Sequence, residues 1–460
     1  MRASLLPILS VSVAIGTSHS ALAADPKFAA DVPASITTPN TVETERLGTL
    51  EFFDGAPSAE TVRKVYDHLD FIRGVEVFLS GIPIASLHSL CVGAKAAGVG
   101  PYQIGIFEDL MDARSLYLTA NSTTIYVTAC MDLKDGPVVM EIPPGVLGPV
   151  DNAFFRWVTD VGVTGPDQGR GGRYLFVGPD YDGPLPQQGF HVVRSDFYTN
   201  WLLMRAFVTE SGPAAAVANV KSSMKIYPLS EAETPPEQEF VNLSGVPMNT
   251  VHANDFNFYV ELNEVVQHEP ANAFPPELVG LFAAIGIKKG QPFAPDERMK
   301  AILTEAVAVA NATARAISYK PRKQSASLFE GRHWTTPFGG GSYMFEDRGE
   351  RVLDDRTFFH YMATGTTPAM AAPRVGSGSV YGLTVHDAKG AYLDGGKTYS
   401  VTLPAPIPVN NFWSFMVYDN QTRSMLETDQ KLAGLDSNKS DIVANSDGSY
   451  TVWFGPNAPD

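Results

Sequence analysis

The chain has 460 residues, with 50 Asp and Glu against 34 Lys and Arg, for a formal net charge of −16. That acidic excess excludes a protein built to neutralise phosphates: the densest basic run is Lys320-Pro321-Arg322-Lys323, so nucleic acid is not an expected partner. An apolar share of 44% and a charged share of 18% are those of an ordinary globular protein, and the length exceeds one compact domain, so two are expected.

The first residues read as an export leader. Arg2 precedes an apolar stretch from Leu5 to Ile15, and Ala21-Leu22-Ala23 supplies the small-x-small pattern for cleavage ahead of Ala24. The apolar part is shorter than the ~20 residues that span a bilayer. No cysteine stands at the cut to carry a lipid, and no later segment reads as long and apolar enough to span a membrane. Residues 1–23 are therefore assigned as a signal peptide, and the mature chain is expected to be periplasmic or secreted. Its only cysteines are Cys91 and Cys130. An oxidising compartment permits a disulfide between them, but the apolar helical run around Cys91 and the strand around Cys130 suit two buried thiols equally well.

Residues 24–45 are rich in Pro, Thr and Ala without periodicity and read as an extended arm. Ser58 then caps a helix whose Val62, Val65, Tyr66 and Leu69 recur at helical spacing, with the apolar face continuing to Phe78 and Leu79. From Leu116 the period changes to two: a strand ending near Leu133, a Lys134-Asp135-Gly136 turn and a strand over Val138 to Ile142 predict a hairpin. Two further strands flank the Gly-rich loop Gly165 to Gly172, giving a mixed α+β domain over 46–230. Residues 231–330 are helical. Asp255 precedes Phe258, Tyr259, Leu262, Val265 and Val266, and Asp296 precedes a helix with the stripe Ile302, Ala306, Val309, Ala310 and Ile317.

From Trp334 onward short strands alternate with Gly, Asp and Asn turns. The fold class is accordingly α+β, with an N-terminal mixed sheet and helices followed by an antiparallel β-sandwich or jelly roll over 331–460. Within it, Phe412 to Tyr418 is apolar on both faces and reads as a central strand, with Trp413 in the core. The polar residues that follow, Arg423 and Glu427 among them, read as a solvated loop.

"FWSFMVYDNQTRSML", preceded by "YSVTLPAPIPVNN" and followed by "NSDGSYTVWFGPNAP", resembles the C-terminal member of a pair of bacterial domain families of unknown function, the one numbered twelve-fourteen. Its N-terminal companion, numbered twelve-fifty-four, is matched by "TANSTTIYVTACMDLKDGPVVMEIPPG", "GRGGRYLFVGPDYDG" and "NWLLMRAFV". The resemblance covers most of the mature chain and implies a β-rich two-domain fold, frequent export and homo-oligomers, with no reaction attached. Similar members continue past the position of Asp460 with a further Trp-containing strand, so the extreme C-terminus is expected to be missing.

Catalytic signatures are weak. There is no G-x-S-x-G and no H-E-x-x-H, the loop "GPDQGRGGR" lacks the Lys-Ser/Thr pair of a phosphate-binding loop, and "DSNKSD" lacks the Gly and distal Glu of a calcium loop, so no metal or cofactor is expected. The best constellation is "NTVHAND". There His252 and Asp255 could act as an acid/base pair beside a helix N-terminus, and Asn254 could bind a ligand. A plain helix cap with a neighbouring histidine explains the same residues. Asn121 and Tyr126 on the family-matching strand could line a cleft, and Arg332, His333 and Trp334 beside a glycine run suit a sugar or aromatic ligand. The leading functional expectation is an exported protein that binds a small molecule or glycan. The alternative is a hydrolase or lyase using His252 with Asp255.

Overall fold

The computed structural model describes residues 29–209, 212–322, 327–372, 379–409, 412–438 and 442–457; the expected leader and its cleavage point lie outside the described residues. The chain divides into two units, Met1–Tyr66 and Asp67–Asp460. In the first, β1 (Thr41–Thr44) and β2 (Gly48–Phe53) form an antiparallel hairpin, and β3 (Ala56–Pro57) pairs with β2. Helix α1 (Ala59–Ala96) starts where the sequence places it: the Ser58 hydroxyl accepts from the Thr61 backbone N–H at 3.2 Å.

The 38 residues of α1 are long and apolar enough to cross a bilayer, which corrects the expectation that nothing after the leader would pass that test. Most of its apolar window is buried inside the protein. Gly74 of α1 packs so closely on the later helix α5 that an added Cβ would lie 2.7 Å from that of Ala306.

The second unit is α+β, as expected. Its six-stranded sheet runs in the order β14-β4-β6-β12-β8-β9, from β4 (Ile104–Ile106), β6 (Thr124–Asp132), β8 (Val146–Asn152), β9 (Trp157–Gly162), β12 (Thr199–Phe207) and β14 (Phe240–Asn242). A four-stranded sheet has the order β11-β10-β7-β13, from β7 (Val138–Ile142), β10 (Gly172–Val177), β11 (His191–Arg194) and β13 (Lys225–Pro228). A two-stranded parallel ladder joins β5 (Ser115–Leu116) to β15 (Met248–Asn249). The expected hairpin is corrected here. Both of its strands exist, but β6 pairs with β4 and β12 while β7 pairs with β10 and β13, so the Lys134–Gly136 turn carries the chain from one sheet to the other.

One core lies between these sheets. Ile125, Val127 and Met131 of β6 and Leu202, Met204 and Ala206 of β12 pack with Val138 and Met140 of β7, Tyr174 and Phe176 of β10, and Ala216, Val217 and Val220 of helix α2 (Pro213–Ser223). The opposite faces of β6 and β12 contribute Tyr126, Trp201 and Leu203 to a second core shared with Leu87 and Leu90 of α1. The two cysteines face each other across this second core and form a disulfide, Cys91–Cys130, which settles the open question in favour of the bond. A third core brings α1 together with α3 (Asn257–His268), α4 (Pro276–Ala284), α5 (Glu297–Tyr319) and α6 (Leu353–Met362). The five α3 residues read from sequence, Phe258, Tyr259, Leu262, Val265 and Val266, are all buried. Asp296 caps α5 by accepting from the Met299 N–H at 2.8 Å, but the buried stripe holds Leu303 and Val307, while Val309 is 42% exposed.

Ahead of α6, β16 (Glu346–Asp347) pairs antiparallel with β17 (Glu350–Arg351); beyond it comes the short helix α7 (Pro368–Ala371), and the later strands of the C-terminal region also pair two by two. β18 (Tyr399–Leu403) joins β21 (Tyr450–Phe454), and β19 (Ser414–Met416) joins β20 (Gly434–Asp436). The stretch from Phe412 to Tyr418 is thus not a central strand buried on both faces: only Ser414–Met416 is strand, paired on one side, and Trp413 is half-buried. The loop after it is equally corrected. Glu427 is exposed, but Arg423 is 1% exposed, its guanidinium 4.1 Å from the centre of the Tyr361 ring. Arg423 Nε donates to the Tyr361 carbonyl at 2.8 Å and Nη1 to the Gln421 carbonyl at 3.0 Å. Arg423→Ala should therefore destabilise the protein by on the order of 3 kcal/mol, since it removes a packed side chain and takes the guanidinium donor from the Tyr361 carbonyl. Trp413→Ala should cost less, about 1 to 2 kcal/mol, because the ring is only partly buried. Urea midpoints of the two variants check the order; a larger loss for Trp413→Ala contradicts this packing.

Candidate functional site

The alternation along β12 puts Trp201, Leu203 and Arg205 on the face opposite the inter-sheet core. Arg205 stands in register with Tyr126 of β6, its guanidinium 5.5 Å from that ring's centre, and Nη1 donates to the Tyr381 hydroxyl at 2.9 Å. Tyr418 comes from the other side and donates its hydroxyl hydrogen towards the carbonyls of Thr119 and Ala120, at 3.1 and 2.9 Å. Among the described residues Arg205 forms no ion pair with a carboxylate. Burial alone would lower its pKa, but the phenols of Tyr126, Tyr381 and Tyr418 outweigh burial and hold it above the ordinary arginine value. Burial raises the Tyr381 pKa, and the neighbouring Arg205 more than reverses that, so the phenol sits below the usual tyrosine value.

Two carboxylic acids shape the wall of the site. Asp151 of β8 is fully buried and accepts from the Thr366 N–H at 2.8 Å and its hydroxyl at 3.1 Å. Asp160 of β9 accepts from the Trp157 indole N–H and the Thr367 hydroxyl, both at 2.9 Å. Burial pushes both pKa values up, well up for Asp151. These bonds fasten the segment between α6 and α7 onto the sheet and fix one rim of an opening.

That opening is a cleft of about 330 Å³ walled by Leu328, Phe338, Met370, Val380 and Tyr381. Tyr381 and Met370 also border a smaller inner cavity of about 30 Å³, room for about one water, which Asp160, Thr164, Arg205 and Thr367 line. Behind Phe338 the ring of Phe359 lies 4.6 Å away between centres, and that of Phe345 lies 5.2 Å from Phe359, both pairs tilted. The arrangement offers an apolar mouth, a phenol at the threshold and a guanidinium within, which can seat a carbon skeleton and hold its polar end.

Of the residues singled out from sequence, Tyr126 belongs to this site, as the ring under Arg205. Asn121 serves structure: its Oδ1 accepts from the Thr123 N–H at 3.0 Å and from the hydroxyls of Thr123 and Thr124. Arg332 and His333 are exposed and Trp334 is half-buried, its ring 6.3 Å from that of Phe415. They do not line the cleft.

His252 and Asp255 are not brought together. His252 is 2% exposed among the rings of Phe78, Phe258 and Tyr361; its Nδ1 lies 2.9 Å from the Ala253 carbonyl oxygen, and its Nε2 has no hydrogen-bond partner among the described residues. Asp255 is exposed and accepts from the backbone and side-chain nitrogens of Asn257. The acid/base pair is thus corrected to a helix-start turn beside an interior imidazole. The Asn254 Oδ1 is buried without a hydrogen-bond partner among the described residues.

The site residues that sequence reasoning passed over are Arg205, Tyr381, Asp151 and Asp160. Arg205 had a signal, a charge inside the apolar strand "NWLLMRAF". Tyr381 had none.

The family of proteins of unknown function described as DUF1254 matches residues 102–228, and that described as DUF1214 matches residues 378–460. Both matches agree with the resemblance carried by the motifs. Arg205 and both aspartates fall in the first region, and Tyr381 in the second. No curated protein matches the chain. Among solved structures, the VPA0106 protein from Vibrio parahaemolyticus is similar at 17% identity with a TM-score of 0.52, covering 84% of this chain and 88% of that one, which shows a shared fold. An uncharacterized protein from Burkholderia cenocepacia aligns at 13% identity and a TM-score of 0.33, over 86% of each chain.

His252 has a consequence that can be measured. Burial, then the Arg423 charge, lowers its pKa from 6.5 to about 4. The neutral ring is the folded form, so its stability contribution is complete above pH 6.5 and is lost as pH falls towards 4, when the unfolded chain takes up the proton. Linkage puts that loss on the order of 3 kcal/mol. Denaturation free energies of wild type and His252→Gln across this window check it: the variant should lose less stability with acid, and parallel curves would contradict the burial of His252.

Proposed function

We propose that this chain, which carries the paired DUF1254 and DUF1214 regions, is an exported binding protein whose ligand is a small molecule or glycan with an acidic group. The ligand occupies the cleft walled by Leu328, Phe338, Met370, Val380 and Tyr381, with its acidic group directed towards Arg205. The single observation that carries this reading is the Arg205 guanidinium, sunk behind the cleft among phenols and without a carboxylate ion pair among the described residues. A half-buried cation in that setting is favourable ground for an anionic ligand, and guanidinium geometry suits a carboxylate. The cleft volume lies within the range of small-molecule sites.

Export is supported by the leader pattern before Ala24 and by the Cys91–Cys130 disulfide, a bond suited to an oxidising compartment. Assembly into homo-oligomers follows from the family resemblance and is part of the same proposal. The hydrolase or lyase alternative has lost its His252–Asp255 pair; Tyr381, with its lowered pKa, is the group that could still move a proton at the cleft.

The test is capture of metabolites on the purified mature protein, read by mass spectrometry, followed by titration of the captured compound. Arg205→Gln should weaken binding at least about tenfold, the loss expected for one charge-assisted hydrogen bond, while the fold is retained. Tyr381→Phe should weaken it less. An acidic ligand bound equally well by Arg205→Gln, or a captured ligand with no acidic group, would overturn the proposal.

A further inference from the structure

Which kind of acidic molecule the cleft takes follows from the chemistry of its wall. Among the described residues that line it, only Thr336 and Tyr381 bring polar side-chain atoms; the others bring apolar side chains or are glycine. Both hydroxyl oxygens are engaged, the Thr336 oxygen accepting from the Phe338 N–H at 3.3 Å and the Tyr381 oxygen from Arg205. The backbone donors of the wall are committed as well. Leu328 N–H goes to the Trp334 carbonyl at 2.9 Å, Gly341 N–H to that of Phe338 at 3.0 Å, and the N–H groups of Met370 and Ala371 to that of Thr367 at 3.1 and 3.3 Å. What the wall still offers a ligand from its side chains is two hydroxyl hydrogens.

A sugar does not suit such a wall. Its ring carries several hydroxyls, and each one taken out of water without a partner costs free energy. Nor does Phe338 present an open face for a sugar to lie on: it is 3% exposed, with Phe359 against it. Hydrocarbon fits instead. Val380 stands on the wall 70% exposed, so a ligand that covers it removes apolar surface from water on both sides. Met370 beside it is an unbranched thioether, which adapts to an irregular carbon skeleton. At ~30 Å³ for each water-sized group, the cleft's volume of about 330 Å³ has room for about eleven of them.

We propose that the ligand is an apolar carboxylic acid: a compact hydrocarbon body lying against Val380, Met370 and Phe338, with one carboxylate turned towards Arg205. Its carboxylate rests on the Arg205 reading above; its hydrocarbon body rests on the wall alone.

Three six-membered-ring compounds separate these two parts. Cyclohexanecarboxylate, glucuronate and cyclohexanemethanol are titrated calorimetrically into the wild-type protein at neutral pH. Cyclohexanecarboxylate should bind at least about tenfold more tightly than glucuronate, because each methylene removed from water contributes about fourfold in affinity and the sugar's hydroxyls find few partners. It should exceed cyclohexanemethanol by a similar factor. Val380→Asn should shrink the preference for cyclohexanecarboxylate over glucuronate, and the exposure of Val380 lets the fold tolerate the change. Glucuronate binding as tightly as cyclohexanecarboxylate, or a preference undiminished in Val380→Asn, would overturn the hydrocarbon body and leave the Arg205 reading standing. Cyclohexanemethanol binding as tightly as cyclohexanecarboxylate would instead overturn the carboxylate and the Arg205 reading with it, and absence of binding by all three would overturn both.

Discussion

The burial of β12 on both faces is the constraint from which the rest of the second unit follows. One set of alternating side chains, Leu202, Met204 and Ala206, closes the core between the two sheets, while the other, Trp201 and Leu203, closes the core against α1. Arg205, on that second face, is half-buried, so much of its guanidinium must be satisfied locally. Tyr126 below it and Tyr381 beyond it do this with a ring face and a hydroxyl oxygen. The cleft stands where these partners stop.

The unit keeps several of its interior charges apart. Among the described residues, Asp151 and Asp160 meet threonine and tryptophan donors with no cation bonded to them, and Arg205 and Arg423 meet phenols and carbonyls with no carboxylate bonded to them. Separation of this kind shifts the carboxyl groups towards neutrality and leaves the guanidiniums charged, because an arginine cannot give up its proton in water's pH range. The two acids, accepting from Thr366 and Thr367, act as anchors for the α6–α7 segment, and the arginines retain an attraction for anions. The net charge of −16 repels an acidic ligand at long range, but screening confines that repulsion to about 8 Å at physiological salt, so the local field at Arg205 governs binding.

Local periodicity was legible and long-range partnership was not. The α3 face was read correctly because five apolar residues recur at one angular position. In α5 the stripe slipped towards Leu303 and Val307, since that helix packs against both α1 and α6 and buries a wider arc than a single seam. The strands at Thr124–Asp132 and Val138–Ile142 were found from their period of two, yet that period fixes faces and says nothing about which strand lies alongside; a turn residue run joined them on paper, and two sheets separate them in space. Arg423 looked solvated because its neighbours are polar, and its burial is decided by Tyr361, 62 positions earlier in the chain. Of the cleft, Tyr126 was visible and Arg205 could have been, as a lone charge in an apolar strand.

The central claim is that the cleft selects for a negative charge through Arg205. Calorimetric titration of a matched pair, glucuronate and glucose, tests it most directly, because the two share a ring and differ in the carboxylate. The account predicts that glucuronate binds at least about tenfold more tightly, with an advantage that survives physiological salt. Equal affinities, or tighter binding of glucose, would contradict it.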